Sequence, residues 1–263
     1  MKIGIGITTR NRSKLLEITL SKIGLFWPDF DTKLVVSDDS TENSVIALNK
    51  ELADIFGAEY LNDYQRKGVA GNKNQCLNAL RDCDYIVLFD DDCYPIREGW
   101  CEFLIDAHKQ TGIHHFNLLD SSLHYETRRK QVGDFCVIEC GNSGGVMMFI
   151  TQEVVKKVGA FNKNYGLYGF EHCSYSKRVE LSGLQNGFSG NTTLHNLHDY
   201  IFSVDYGQFP VNPNYELYKL TFPDESDKTI LHSSMTSDEV QSSISKNSSV
   251  YIGDISGPIF QEL

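Results

Sequence analysis

The sequence predicts an α/β protein with a mostly parallel sheet covered by helices on both faces. Three observations carry this. Short apolar runs alternate with amphipathic helical stretches through the first hundred residues. The runs are near-continuously apolar, as strands buried on both faces must be. Each run ends on polar residues: Thr8-Thr9-Arg10, Asp38-Asp39 and Asp90-Asp91-Asp92. In open α/β sheets ligands bind outside the carboxyl ends of the strands, so these ends are the first place to look for chemistry.

Taken in order, Ile3–Ile7 reads as the first strand. Leu15, Leu16, Thr19, Leu20 and Ile23 recur at helical spacing, predicting a helix over 13–23 with Ser13 as its cap. A strand over 33–37, a helix over 43–56 stopped by Gly57, and a short strand over 58–61 follow. Residues 72–80 read as a helix entered from Gly68-Val69-Ala70-Gly71, and 85–89 as a fourth strand. After a helix over 100–110 the pattern changes. Residues 113–119 precede a hairpin with Arg128-Arg129-Lys130 near its turn and 135–138 as its second strand. Gly144-Gly145 opens a strand over 146–150. A helix over 151–158 is capped by Thr151 and stopped by Gly159, and another runs over 171–181. Residues 1–213 read as one domain whose pattern changes after residue 100, which divides it into 1–100 and 101–213. Residues 214–263 carry three basic side chains, eight acidic ones and ten serines, which reads as a peripheral extension or lid.

Composition narrows the function. The 263 residues carry a net charge of −11, which disfavours nucleic-acid binding through a broad basic face. No apolar run approaches the ~18 residues that span a bilayer. Seven scattered cysteines without a CxxC pair suit reduced thiols in the cytoplasm.

The strongest chemical signal is Asp90-Asp91-Asp92. Three carboxylates at one strand end repel one another unless a cation shares the site. In extended backbone Asp90 and Asp92 project to the same side, and oxygen-only ligands suit Mn²⁺ or Mg²⁺ bound with phosphate oxygens. Thr8, Thr9, Arg10 and Arg12 offer hydroxyls and cations fit for a nucleotide's base and phosphates. Asp38 and Asp39 suit a base or ribose, and Lys73 and Asn74 lie where a helix start meets a glycine-containing loop. An isolated acidic triplet is more often a solvated turn, and Ser40, Thr41 or Asn43 equally reads as a helix cap. His114 and His115 read as structural. Tyr165, Tyr168 and Phe170 suit either sugar stacking or core packing.

Ile7-Thr8-Thr9-Arg10-Asn11-Arg12, Val36-Ser37-Asp38-Asp39-Ser40, the run from Gly68 to Asn74, and Phe89-Asp90-Asp91-Asp92 stand in an order shared with a known family. Gly144-Gly145-Val146, Val158-Gly159-Ala160-Phe161-Asn162 and Tyr168-Gly169-Phe170-Glu171-His172 continue it. Over about residues 3–200 the chain resembles GT-A glycosyltransferases of the family 2 type, which implies a nucleotide-binding half in 1–100 and an acceptor or catalytic half in 101–213. The resemblance implies a nucleotide-diphosphate sugar donor and a divalent ion, Mn²⁺ or Mg²⁺, joining Asp92 with Asp90 to the diphosphate. It implies nucleoside contacts from Asp38 or Asp39, Thr8 and Arg10, with Lys73 and Asn74 nearby, and a sugar pocket at Gly144 and Gly145. Relatives that invert take their base from a Glu-Asp pair at a helix start. Here that pair is Glu171-His172, so either residue stands as the base, a helix N-terminus favours an ionised Glu171 and a neutral His172, and the stereochemistry stays open. The family also places a histidine metal ligand late in the chain, where His195 and His198 stand, His195 first. The expected activity is hexosyl or pentosyl transfer to a hydroxyl of a glycan, lipid or small molecule. The alternatives are transfer to a hydroxymethylated pyrimidine in DNA and a sugar-nucleotide-binding protein without turnover.

Overall fold

The computed structural model describes residues 1–119, 126–141 and 144–203. The expectation for residues 214–263 lies outside them. The chain opens with β1 (Lys2–Thr9), α1 (Ser13–Leu25), β2 (Asp31–Asp38), α2 (Asn43–Ile55), β3 (Glu59–Leu61), α3 (Gly68–Leu80) and β4 (Tyr85–Asp90). There follow β5 (Cys93–Pro95), α4 (Trp100–Thr111), β6 (His115–Asn117), β7 (Glu126–Val132), β8 (Phe135–Cys140) and β9 (Met147–Thr151). The described part closes with α5 (Gln152–Val158), α6 (Glu171–Leu181), β10 (Thr192–Leu194) and β11 (Ile201–Ser203). The main sheet has the order β3-β2-β1-β4-β9-β6. Its first four strands are mutually parallel, and β9 runs antiparallel to both β4 and β6.

The Ile-Gly-Ile-Gly-Ile run explains how the helices pack. Ile3, Ile5 and Ile7 are fully buried and meet Leu16, Leu20 and Ile23 of α1 and Trp100 and Leu104 of α4 in one core layer. The opposite face of β1 is glycine, and there α3 lies close. A Cβ on Gly6 would come within 2.8 Å of both Cys76 Cβ and Leu88 Cδ2. Leu77, Leu80, Val154, Tyr175 and Val179 build the second core layer on that side. Alternation along one strand thus sets a wide layer on one face and a tight one on the other.

The chain leaves β1 toward β2 through α1 and reaches β4, on β1's other flank, through α3. The switch point therefore falls between β1 and β4, and the crevice opens at their carboxyl ends.

Several boundaries differ from the sequence expectation. Ser13 does not cap α1; the capping position is Arg12, and no side chain bonds the helix end. Helix α3 begins at Gly68, one turn before Asn72. The small residues Gly68, Ala70 and Gly71 let that turn bury against the loop at 166–167, where Val69 N donates to Leu167 O at 2.9 Å. Arg128, Arg129 and Lys130 sit mid-strand in β7 rather than at the turn, which Gly133-Asp134 makes. Thr151 caps α5 as expected, accepting from Val154 N.

Candidate active site

The ends of β1 and β4 and the segment after β2 converge on a cleft of about 270 Å³. Thr8, Thr9, Arg10, Arg12, Asp39, Arg66, Gly68, Asn72 and Asp90 to Asp92 line it, and Leu167 and Tyr168 close one side. Residues from both halves of the described chain thus share one cavity.

The acidic turn is held by a dense set of bonds. Asp90 Oδ1 accepts from Thr8 Oγ1 at 2.8 Å and lies 3.0 Å from Lys73 Nζ. Asp91 Oδ2 accepts from Thr9 Oγ1 at 2.6 Å, so the hydroxyls of both threonines serve carboxylates within the cleft wall. Strand alternation ends at Asp90, and the chain turns at Asp91 and Asp92. Contrary to the expected pairing of Asp90 with Asp92, it is Asp91 and Asp92 that converge, both on the Arg12 guanidinium. Asp91 and Asp92 are 3% and 6% exposed. Burial pushes the Asp91 carboxyl up to about 7, against the pull of Arg12 and Thr9. Asp92 Oδ1 is buried without a hydrogen-bond partner. Such an orphaned carboxylate oxygen is costly unless a cation meets it, so these residues fit a divalent ion.

The two neighbouring aspartates after β2 divide their work. Asp38 turns inward, accepting from Ser40 N, Asn49 Nδ2 and Tyr60 Oη at 2.6–2.8 Å, and anchors the turn without lining the cleft. Asp39 lines the cleft, its oxygens accepting from Lys67 N at 2.6 Å and Gly68 N at 3.1 Å. Burial raises its pKa, opposed by those amides and by Arg10 and Arg66. Asn74 likewise departs from expectation. Its amide clamps the backbone of Phe161 in both directions, at 2.7 and 2.8 Å, and does not reach the cleft.

Lys73 is fully buried beneath the cleft floor. Its ammonium joins Asp90 to the carbonyl of Gly145, linking the two halves. The glycine pair has its own reason. A Cβ on Gly144 would lie 1.8 Å from Leu118 O, and one on Gly145 would lie 2.9 Å from the His172 ring. Close approach of backbone and imidazole, rather than room for a sugar, is what the structure displays there.

Glu171 and His172 open α6 beyond a loop bent through positive φ at Gly166, Gly169 and Phe170. Glu171 is 4% exposed, and both of its carboxylate oxygens are engaged, one with Gly169 N and one 3.0 Å from His172 Nδ1. Burial alone would raise its pKa. The His172 hydrogen bond and charge, with Lys73, pull it down to about 2. For His172 burial opposes the charge, yet Cys173 and Glu171 outweigh it and hold the imidazole's pKa well above its ordinary value. The expected neutral His172 is therefore replaced by an ion pair at neutral pH, with Glu171 ionised as expected. The His172 side chain keeps 21% exposure, so it is the member with access to a ligand.

His195 and His198 are not brought to the acidic turn. His195 is exposed beside β8, its backbone N donating to Cys136 O at 3.0 Å and its ring 3.5 Å from Arg129. In the β5–β11 pair Ser203 faces Cys93, next to Asp92, whereas His198 precedes the opposite end of β11. No cluster of three or more His, Cys, Asp or Glu suited to a metal forms among the described residues. The basic run is part-neutralised, Arg128 by Glu139 at 3.3 Å and Arg129 by Glu126 at 2.6 Å. Fully buried His115 is structural as expected, bonding Phe149 O and Ser176 Oγ. Sequence reasoning missed Arg66 as a cleft residue. Its only local signal is a cation two residues before the glycine that starts α3.

Residues 5–116 match the family model described as glycosyl transferase family 2. A search of curated proteins finds no match. Among solved structures, GalNAc-T7 with UDP, GalNAc and Mn²⁺ is similar at a TM-score of 0.61 and 12% identity, over 86% of this chain and 50% of that one. TarS of S. aureus is similar at 0.58 and 12%, over 94% and 42%. The mannosyltransferase PcManGT of Pyrobaculum calidifontis, in complex with GDP-Man and Mn²⁺, is similar at 0.51 and 14%, over 70% and 53%. The chain spans about half the length of these structures, and the likeness establishes the GT-A fold.

Proposed function

We propose that this chain, whose residues 5–116 match glycosyl transferase family 2, moves a sugar from a nucleotide-diphosphate donor to an acceptor hydroxyl. The observation that carries the reading is the single cleft in which Asp39, Arg10 and Arg66 stand beside the acidic turn, with Tyr168 on the facing side. Asp39 and the two arginines suit the nucleoside and phosphates, and Leu167 and Tyr168 supply apolar surface for a ring. Asp92, whose Oδ1 is buried without a hydrogen-bond partner, would hold Mn²⁺ or Mg²⁺. Bound there, the ion supplies Lewis-acid stabilisation of charge on the leaving diphosphate. The complexes of GalNAc-T7 and PcManGT with Mn²⁺ support that choice of metal.

The acceptor hydroxyl must lose a proton as it attacks. His172, the exposed member of the ion pair, takes that role in this reading, and Glu171 orients it. Because Cys173 and Glu171 raise the His172 pKa, the base is in its neutral form only toward alkaline pH.

A thermal-shift panel of nucleotide sugars with and without Mn²⁺ tests the donor, since ligands that bind the folded state raise apparent stability. A metal-dependent rise with one donor, followed by transfer to an acceptor, supports the reading. Binding without turnover across a broad acceptor panel would leave only a sugar-nucleotide-binding protein.

A further inference from the structure

The Arg12 guanidinium is bonded to the acidic turn, meeting Asp91 Oδ1 and Asp92 Oδ2 through one nitrogen. Its backbone is fixed, because its carbonyl accepts from Leu15 and Leu16 at the start of α1. The same helix grips the turn a second time, through Thr19 Oγ1 to Asp91 O at 2.7 Å. The Arg12 side chain is nevertheless 38% exposed, so the guanidinium can swing into solvent while α1 stays in place. Asp92 thus has one oxygen on Arg12 and the other buried without a partner.

Charge balance sets Arg12 and a metal ion in competition. With both carboxyls ionised, one guanidinium leaves the Asp91–Asp92 pair with a single net negative charge. Adding a divalent ion on Asp92 with Arg12 still in contact would make that group net positive and set two cations against one carboxylate. Withdrawing Arg12 restores neutrality. We propose that Arg12 is a resident counter-cation of the acidic turn that a divalent ion must displace from Asp92, so that this side chain sets the metal affinity of the site. The inference rests on the metal-dependent reading above and adds a residue acting against the metal. It also reassigns Arg12 from the donor's phosphates, which leaves Arg10 and Arg66 to meet them.

The test is Mn²⁺ binding to the donor-free full chain, followed by the electron paramagnetic resonance signal of free Mn²⁺, for wild type, Arg12→Gln, Arg12→Lys and Asp92→Asn. Arg12→Gln should bind Mn²⁺ about tenfold more tightly than wild type. Its metal-free melting temperature should fall and recover on adding Mn²⁺. Arg12→Lys, which keeps the charge but lacks a planar guanidinium, should lie between, and it carries the test if the glutamine variant does not fold. Asp92→Asn should bind least. Equal or weaker binding by both Arg12 variants, with wild type still binding, overturns the proposal and leaves the metal reading standing. If no form binds Mn²⁺ while nucleotide sugars still raise the melting temperature, the metal reading itself fails, and this inference with it.

Discussion

On one side of the cleft the functional groups hang from strand ends, Thr8 and Thr9 on β1 and Asp90 at the end of β4. On the other they come from the loop before α6, whose backbone is bent through positive φ at Gly166, Gly169 and Phe170. The strand side is rigid because its backbone is tied by parallel ladders, with Asp91 N also donating to Thr8 O at 3.1 Å. The loop side is tied instead by single bonds and close packing, Val69 N on Leu167 O at 2.9 Å, Gly68 against Gly166 and the Gly169 amide on Glu171. The charged groups of the cleft thus hang from a hydrogen-bonded sheet, and Leu167 and Tyr168 from a loop outside it.

Four experiments break or sharpen that contrast. Asp92→Asn should abolish the metal-dependent thermal shift and lower transfer by about 10²–10³-fold, with the loop side intact in circular dichroism. Gly68→Ala strikes the opposite side. Its Cβ would fall 2.2 Å from Gly166 O at a backbone φ of +72, so urea unfolding should show a loss of about 2–3 kcal/mol, with donor binding weakened.

His115 probes the scaffold behind both sides, joining β6 to β9 and α6. Burial lowers its pKa to about 4. The unfolded chain therefore takes up that proton first as pH falls. The His115 contribution is complete above about pH 6.5 and is lost progressively toward pH 4, by about 3 kcal/mol. Unfolding midpoints across that window should fall in wild type and fall less in His115→Gln.

The smallest expected effect is on the loop side. Glu171→Gln removes the negative partner of His172, so the rate inflection should move to lower pH while kcat falls about tenfold. The same inflection kept unchanged in His172→Gln would remove His172 from the role of base.

How much of this was legible in the sequence tracks the same divide. The apolar runs located the strands. Their polar ends located the cleft, because a strand's side chains keep a fixed period. That period says Asp38 and Asp39 face opposite ways but not which one faces in; Asn49 and Tyr60, far along the chain, decide it. The convergence of Asp91 and Asp92 on Arg12 appears only after the strand stops alternating. The early start of α3 was hidden because two glycines read as a loop, whereas their lack of side chains lets a buried helical turn form. His195 and His198 failed to reach the carboxylates because the β5–β11 register turns the other end of β11 toward Asp92.

Lys73 has one further consequence. Its ammonium is wholly shielded from water, and Asp90 is the carboxylate it meets. Neutralising Asp90 would therefore strand a positive charge in the interior, and the whole chain would register the damage as lost stability. Variants at Asp90 conflate folding with chemistry. Asp92, whose partner Arg12 keeps contact with solvent, is the cleaner place to ask what the acidic turn does for the reaction.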